Sequence, residues 1–170
     1  MKIVAFSGSN SSQSINQALV TAAAKMVDEA EVIQLTKYDY PLYGIDLEKA
    51  NGIPASIQEL VAELQKYDGY IISTPEHNST IPVFFKNVLD WMSRMDGKPL
   101  EGKKVALLSS SPGKGGAAKA LDFAAKVIPY LGAEIIGTQS FPSFHENMKD
   151  GEIVNEALRN DISNLLSKLV

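Results

Sequence analysis

The sequence predicts an α/β protein with an open, doubly wound parallel sheet. Five short apolar runs, rich in β-branched residues or alanine, recur along the 170 residues, and a segment with helical spacing follows each run. A parallel connection between strands needs a long crossover, which a helix supplies. Right-handed crossovers with helices on both faces give three layers, and five strands commonly take the order 2-1-3-4-5.

The strands and helices are assigned in chain order. The strands are predicted at residues 3–6, 31–35, 69–74, 104–109 and 134–138. Three helices are predicted from apolar residues that share one face, namely Ile15, Leu19, Ala22, Ala23 and Met26, then Ile57, Leu60, Val61 and Leu64, and finally Leu158, Ile162, Leu165, Leu166 and Leu169. Residues 83–92 and 117–128 fill the two remaining helix positions, with Trp91 expected in the core or an interface.

The longest irregular stretch is predicted at residues 36–52, TKYDYPLYGIDLEKANG. It carries Pro41, two glycines and three tyrosines, and it is long for a strand-to-helix loop, which indicates a functional or contact segment. Its tyrosines favour a partner surface over disorder. No repeat, low-complexity segment or linker interrupts the chain, so a single domain over residues 1–170 is predicted.

Composition excludes several classes of function. A net charge of -4 argues against a nucleic-acid partner, which normally meets a basic face. With no cysteine there is no disulfide, thiolate metal site or cysteine nucleophile, and neither histidine has metal-ligand spacing, so no metal is expected. No apolar run approaches the ~20 residues that span a bilayer. With no secretory leader in view, a cytoplasmic protein without a membrane partner is expected.

Three loops carry the polar chemistry. In this strand order, ligands bind at the carboxyl ends of the strands, at the switch point between the first and third strands. The loops after the first, third and fourth strands read SGSNSSQSIN, PEHNSTIP and SSSPGKGG, and they are the three richest in Gly, Pro, Ser and Asn. The sequence therefore predicts the ligand site where these loops meet.

The first loop favours a phosphate site. Ser9, Ser11, Ser12, Ser14 and Asn16 offer donors where the following helix presents unpaired N–H groups and the positive end of its dipole. The alternative is that Ser12 or Ser14 only caps this helix. The loop lacks the G-x-G-x-x-G of dinucleotide sites, the third loop lacks the Walker pattern, and the first strand lacks the carboxylates of a response regulator.

The second loop suits a planar heterocycle. Pro75 and Pro82 stiffen its two ends, and Glu76-His77-Asn78 between them form a short polar platform that can meet the edge of a ring. The alternative is a capping turn with His77 exposed to solvent. No Ser-His-Asp arrangement is supported, so no catalytic residue is predicted and a bound cofactor is expected to carry the chemistry.

These motifs resemble those of the NAD(P)H-dependent FMN reductases and the related quinone, chromate and azo reductases, which have a flavodoxin-like fold. TPEHNSTIPVFFKNVLDWMSR, residues 74–94, is similar to the family's P-E-Y-N-x-S/T-x-P followed by K-N-x-x-D-W. GSNSSQSIN is similar to its G-S-x-R-x-x-S-x-N, and SSSPGKGG to its glycine-rich third loop. Ser11 stands where the family often has Arg, and His77 where it usually has Tyr.

The resemblance implies a set of FMN contacts. Ser9, Ser14 and Asn16 would bind the phosphate, Pro75, Glu76 and Asn78 would line the isoalloxazine, and Ser111, Gly113 and Gly116 would close the far side. The full predicted cofactor-binding set is Ser9, Ser11, Ser14, Ile15, Asn16, Pro75, Glu76, His77, Asn78, Ser111, Gly113 and Gly116.

The resemblance also implies the reaction. NADPH or NADH would deliver hydride to FMN, and a small-molecule acceptor such as a quinone, an azo compound or a second flavin would then take it. A homodimer or homotetramer is implied, with Tyr38, Tyr40 and Tyr43 near the partner or the mouth of the site. Two alternatives are a flavodoxin-type electron carrier and, because of Ser11 and His77, a family member without flavin that acts as a binding protein.

Overall fold

The predicted sheet is present. The computed structural model describes residues 1–169, and its five parallel strands take the order β2-β1-β3-β4-β5. The strands are β1 (Ile3–Ser7), β2 (Ala30–Val32), β3 (Gly69–Thr74), β4 (Lys104–Ser110) and β5 (Glu134–Phe141). The predicted second strand, residues 31–35, was placed too late, because Leu35 already begins a 3₁₀ turn, Leu35–Lys37.

Helices connect the strands, as expected for parallel pairing. They are α1 (Ile15–Ala24), α2 (Ile45–Asn51), α3 (Ala55–Leu64), α4 (Val83–Met92), α5 (Ala118–Val127), α6 (Phe144–Asn147) and α7 (Glu156–Leu166). A 3₁₀ turn, Ile128–Leu131, extends α5. The bounds of α4 are those predicted from the sequence.

The sheet separates two apolar cores, because successive side chains of a strand point to opposite faces. In β1, Val4 and Phe6 pack with α3, α4 and α5, whereas Ile3 and Ala5 pack with α1 and α7. Every residue of β1 and β3 is buried, as expected for strands covered on both faces. Trp91 lies in the first core and is not exposed, which confirms its predicted packing role.

The stretch 36–52 is more ordered than the sequence analysis predicted. It ends in α2, and residues 38–47, here called the tyrosine segment, lie against α4. The carbonyl of Pro41 accepts from the Asn87 side-chain amide at 3.0 Å and from the Trp91 indole N–H at 2.7 Å. The tyrosines of the segment are half-buried and pack against the first core of their own chain. The prediction of an irregular stretch is therefore confirmed for residues 38–44 and wrong at both ends, where the 3₁₀ turn and α2 lie.

A further small unit lies between β5 and α7. Helix α6 leads into an antiparallel hairpin of β6 (Met148–Lys149) and β7 (Glu152–Ile153), which the sequence analysis did not predict. Phe144, Met148 and Ile153 from this unit fill the second core. It therefore closes the face of the sheet next to α1 and α7.

Two properties concern the described residues as a set. Across residues 1–169, no helix combines the length and the hydropathy needed to cross a membrane. Within the same range, no three His, Asp or Glu side chains gather in a group that could hold a metal ion.

Candidate functional site

The three polar loops meet at the carboxyl ends of β1, β3 and β4, and Asn16 joins them. Its side-chain oxygen accepts from the Ser73 hydroxyl at 2.6 Å and from the Ser110 N–H at 2.9 Å. Its side-chain nitrogen donates to the Ser110 carbonyl at 3.0 Å. The side chain is 1% exposed. The structure therefore places the carboxamide of Asn16 beneath the first loop, where it holds the loop to β3 and β4, and its backbone N–H is what remains for a ligand.

The first loop, residues 8–14, is here called the serine loop, and its shape is set by hydroxyl groups. The Ser7, Ser9 and Ser11 hydroxyls accept from the N–H groups of Ser9, Ser11 and Gln13, at 3.1, 3.2 and 3.2 Å. Each is a side-chain turn that folds the backbone over two residues. Because a hydroxyl that accepts one bond still has a proton to donate, Ser9 and Ser11 can each donate to an anion.

Ser14 caps α1, as one alternative of the sequence analysis held. Its backbone is extended and its hydroxyl accepts from the Gln17 N–H at 3.1 Å. Ile15 and Asn16 open the helix, so their N–H groups have no carbonyl one turn earlier to bond. These donors and the positive end of the helix dipole adjoin the serine loop. Donors and dipole together make an anion-binding site, and the cap is one part of it.

A groove of about 710 Å³ opens over the serine loop, a size within the usual range for small-molecule sites. Ser9, Ser11, Ser14 and Ile15 of the predicted set line it, with α1 and the residues that follow β2 on its other walls. The residues of the second and third loops do not line this groove.

The second loop, residues 75–82, is here called the hairpin loop. His77 and Thr80 exchange backbone hydrogen bonds at 2.9 and 3.2 Å, and Asn78 and Ser79 between them have φ of 51° and 67°. Two successive positive φ angles in a two-residue turn define a type I′ hairpin. All four residues are exposed. The loop is thus an exposed polar hairpin. His77 faces solvent, as the alternative held, but no side chain of the loop caps α4.

Glu76 reaches from the hairpin loop to α5. One oxygen of its carboxylate accepts from the Lys119 N–H at 3.1 Å and the Ala120 N–H at 3.3 Å. The Lys119 ammonium also donates to the Ser79 hydroxyl at 3.3 Å. The structure therefore places the Glu76 carboxylate at the start of a helix that lies more than forty residues later, a contact that no local sequence pattern signals.

The third loop, residues 111–117, is here called the glycine loop. Gly116 is its fixed end: its carbonyl accepts from the hydroxyls of Ser109 and Ser140 at 2.6 and 3.0 Å. At its φ of 56°, an added Cβ would overlap the Ser140 hydroxyl. Glycine is required here by the backbone and by the lack of space.

Gly113 and Ser111 form the open part of the glycine loop. An added Cβ at Gly113 would meet nothing within 4 Å. The carbonyls of Gly113 and Ser111 accept from the N–H groups of Ser143 and Phe144 at 2.9 and 3.1 Å, which ties the loop to the segment after β5. The outer side of the loop therefore stays accessible while its inner side is held by hydrogen bonds.

The residues present fit FMN. The hydroxyls of the serine loop and the first N–H groups of α1 are donors of the kind that a phosphate monoester needs. The hairpin loop and the glycine loop follow the neighbouring strands β3 and β4, and both expose backbone groups of the kind that can meet the edge of a planar ring. No residue of the serine loop is charged, so the loop itself offers a phosphate only neutral donors and the helix dipole.

Comparison with known proteins identifies the family. The family model described as NADPH-dependent FMN reductase matches residues 1–146. A quinone reductase of Escherichia coli (strain K12) is 35% identical over 103 residues, which are 61% of this chain and 55% of that protein, so the match spans only about half of the relative's length. A 2-hydroxy-1,4-benzoquinone reductase of a Burkholderia species is 28% identical and is matched over 99% of this chain and 93% of its own.

A solved structure gives the same result in three dimensions. The flavoenzyme FerB of Paracoccus denitrificans, an NAD(P)H:(acceptor) oxidoreductase, superposes with a TM-score of 0.80 at 27% identity, covering 99% of this chain and 95% of that one. The azoreductase AzrA, at 18% identity and a TM-score of 0.68, shares the fold. The strand order, the site at the switch point and the family match agree, and the chain belongs to the NADPH-dependent FMN reductase family.

Proposed function

We propose that this chain is an FMN-dependent oxidoreductase that transfers hydride from NADPH or NADH to a small-molecule acceptor, and that residues 1–170 act as one FMN-binding domain. The observation that carries the proposal is the meeting of the serine, hairpin and glycine loops at the switch point of the sheet. The family match over residues 1–146 supports the same activity.

The serine loop holds the phosphate in this proposal. The hydroxyls of Ser9 and Ser11 donate to its oxygens, and the N–H groups of Ile15 and Asn16 meet it along the axis of α1. Ser14 contributes by capping α1 and fixing the direction of these N–H groups. Asn16 contributes from below, because its buried carboxamide fixes the loop on β3 and β4.

The hairpin and glycine loops hold the ring. Pro75, His77 and Asn78 lie on one side, and the backbone of Ser111 and Gly113 on the other, while Gly116 keeps the glycine loop in place. FMN, when bound, supplies the hydride chemistry itself. The protein binds and orients the cofactor and leaves its outer face open to one substrate after another, so no side chain is assigned as an acid or base.

Quinones and azo compounds are the acceptors that we propose. Two proteins matched over 99% of this chain are named for a benzoquinone or for an unspecified acceptor, and the exposed backbone of the two ring-binding loops suits flat molecules of varied outline. We propose that the protein works in the cytoplasm, where NADPH and NADH are available as donors.

We also propose that the chain forms a homodimer or homotetramer. Leu42 and Ile45 of the tyrosine segment and Val83 at the start of α4 are exposed apolar side chains, and the tyrosine segment lies on α4. Size-exclusion chromatography with light scattering measures the mass directly. A dimer or tetramer is expected, and a monomer at micromolar concentration would contradict the proposal.

A flavin titration tests the function. We expect the purified protein to quench added FMN fluorescence, to retain the flavin absorbance bands, and to lose those bands when NADPH is added without air. The double variant Ser9→Ala/Ser11→Ala should bind FMN at least about tenfold more weakly, since each lost bond to a charged group is worth ~1.5 to 3 kcal/mol. Ser163→Ala, exposed on α7, is the matched control.

The other outcomes of the titration separate the alternatives. Flavin bands that persist in NADPH, but bleach with a reduced partner protein, would indicate an electron carrier. A colourless protein that neither binds FMN nor oxidises NADPH would indicate a family member without flavin. Unchanged FMN affinity in the double variant would contradict the assignment of the serine loop.

A further inference from the structure

Helix α5 begins without a cap of its own. The residue before it, Ala117, has no side-chain oxygen, and no acidic residue lies in the first turn. Helices normally satisfy their first N–H groups with Ser, Thr, Asp or Asn at that position. The glycine loop leads directly into this uncapped end, because Gly116 and Ala117 both have positive φ, of 56° and 60°.

The missing cap comes from the hairpin loop. Glu76 accepts the N–H groups of Lys119 and Ala120 with one carboxylate oxygen, at 3.1 and 3.3 Å. A negative charge at the start of a helix is favoured by the dipole as well as by the two hydrogen bonds. The Lys119 ammonium donates to the Ser79 hydroxyl of the hairpin loop at 3.3 Å, so side chains of both elements contribute to the tie.

The tie joins the two loops between which the ring is proposed to lie. Glu76 stands between Pro75 and the type I′ turn, while Lys119 follows the glycine loop by two residues. One carboxylate therefore sets the separation of the two loops. The Glu76 oxygen that caps α5 is occupied by two helix N–H groups. Glu76 therefore acts on the ring indirectly, by holding the start of α5 and the glycine loop that leads into it.

We propose that Glu76 is a positioning residue that fixes the width of the slot between the hairpin loop and the glycine loop, and so orients the isoalloxazine ring of FMN for hydride transfer. This inference rests on the proposed function. It differs from the contact role that the family resemblance implies for Glu76, in which the side chain itself lines the ring.

Amide hydrogen exchange on the apoprotein tests the tie without any cofactor. In Glu76→Ala, exchange of the Lys119 and Ala120 amides should accelerate at least about tenfold, because their acceptor is gone. In Glu76→Gln the remaining side-chain carbonyl still accepts, so most of the protection should stay. Asp122→Ala removes a carboxylate from the exposed face of the same helix and should leave both amides unchanged.

Flavin binding and turnover then test the positioning. Glu76→Ala should weaken FMN binding about tenfold and lower kcat about tenfold at saturating FMN, with KM for NADPH changed less than about twofold, because a misoriented ring loses rate rather than substrate binding. Glu76→Gln should restore both values to within about threefold of the wild type, and Asp122→Ala should match the wild type.

Three results would overturn the inference. Unchanged exchange of both amides in Glu76→Ala would show that the tie does not exist. Released amides with unchanged FMN affinity and kcat would show a helix cap only. Protected amides in Glu76→Gln, together with losses as large as those in Glu76→Ala, would show direct contact with the ring. If the wild type neither binds FMN nor oxidises NADPH, the proposed function itself fails, and the exchange data separate that failure from the absence of the tie.

Discussion

At the scale of the residue, single buried polar side chains hold the parts of this site together. Asn16 satisfies a hydroxyl, an N–H and a carbonyl at the ends of β3 and β4 while solvent does not reach it. A buried polar group left without a partner costs free energy, so the three hydrogen bonds of Asn16 favour one arrangement of the groups around it. The position of the serine loop thus depends on a side chain beneath it.

Replacement of Asn16 should destabilise the fold. Asn16→Ala leaves the Ser73 hydroxyl and the Ser110 N–H buried without their partner, and we expect the free energy of unfolding to fall by about 3 kcal/mol. Urea denaturation of the apoprotein measures it. Asn10→Ala, exposed on the same loop, should change it by less than about 0.5 kcal/mol. Equal stabilities of the two variants would contradict the role of Asn16.

The glycine loop offers a matched pair of substitutions. Gly116→Ala brings a Cβ into the Ser140 hydroxyl at a φ of 56°, whereas Gly113→Ala meets open space. We expect Gly116→Ala to lower the free energy of unfolding by about 2 kcal/mol or more. Gly113→Ala should leave it within about 0.5 kcal/mol. A thermal melt of both proteins checks this, and a Gly116→Ala variant as stable as the wild type would contradict it.

The sequence predicted which residue types lie at the candidate site, but not the directions in which their side chains point. Serines after a strand and before a helix predict a phosphate site from local geometry alone. Whether Asn16 points to a ligand or into the protein depends on partners on β3 and β4 that lie 57 and 94 residues away in the chain. The same holds for Glu76, whose partners are on α5.

At the scale of the element, the tyrosine segment shows how a long connection becomes ordered. Asn87 binds it twice: its side-chain nitrogen donates to Pro41, and its oxygen accepts from the Tyr43 N–H at 2.8 Å. Trp91, one turn later on α4, donates to the same Pro41 carbonyl. The segment is therefore held by one face of one helix.

Loss of Asn87 should release the tyrosine segment. In Asn87→Ala both bonds to the segment are lost, and we expect trypsin to cleave at Lys37 or Lys49 at least about fivefold faster, because local opening limits the cleavage of an ordered loop. Limited proteolysis with mass spectrometry measures this. Lys86→Ala on the same helix breaks only the exposed pair with Asp90 and should be cleaved as the wild type is. Equal cleavage of Asn87→Ala and wild type would contradict the anchoring.

The elements that the sequence analysis missed share a physical cause. Helix α2 buries none of its residues, so it lacks the apolar periodicity that marks a helix. Strands β6 and β7 have two residues each, too few for an alternating pattern. In contrast, α4 buries six of its ten residues and was predicted with its observed bounds.

At the scale of the whole molecule, the strand order followed from general rules. Strands that alternate with helices leave few topologies once crossovers are right-handed and connections short. The two faces of the sheet are filled by alternate residues of the same strands, so the pattern of burial is set by the pleat. The register of each pair, and the irregularity between Val105 and Ala106, depend on packing that no single segment encodes.

Tyrosines in the first core or packed against it predict that the free energy of unfolding falls at alkaline pH. Burial raises the pKa of Tyr40, Tyr67 and Tyr70, and Glu31 and Glu63 raise that of Tyr67 further. A raised folded-state pKa means that stability is fully present below the unfolded value of about 10 and is lost as pH rises through the folded value. The free energy of unfolding should therefore fall between about pH 10 and about pH 12.

Urea denaturation across that range, with tyrosinate absorbance as the second signal, measures the effect. Tyr67→Phe removes one of the responsible groups and should flatten the alkaline decline. Tyr130→Phe, at an 81% exposed position, should follow the wild type. A free energy of unfolding that stays constant to about pH 12 would contradict the assignment.

The bond between Asn16 and Ser110 also has a kinetic consequence. It closes a chain loop of 94 residues, so β1, β3 and β4 must all have paired before the serine loop takes its final position. Long-range parallel pairing is slow to form, because the entropy of closure is lost before the contacts are gained. A cofactor that binds this assembled end of the sheet can bind only after the slow pairing of these strands. FMN should therefore slow the unfolding of the chain and leave its refolding rate unchanged.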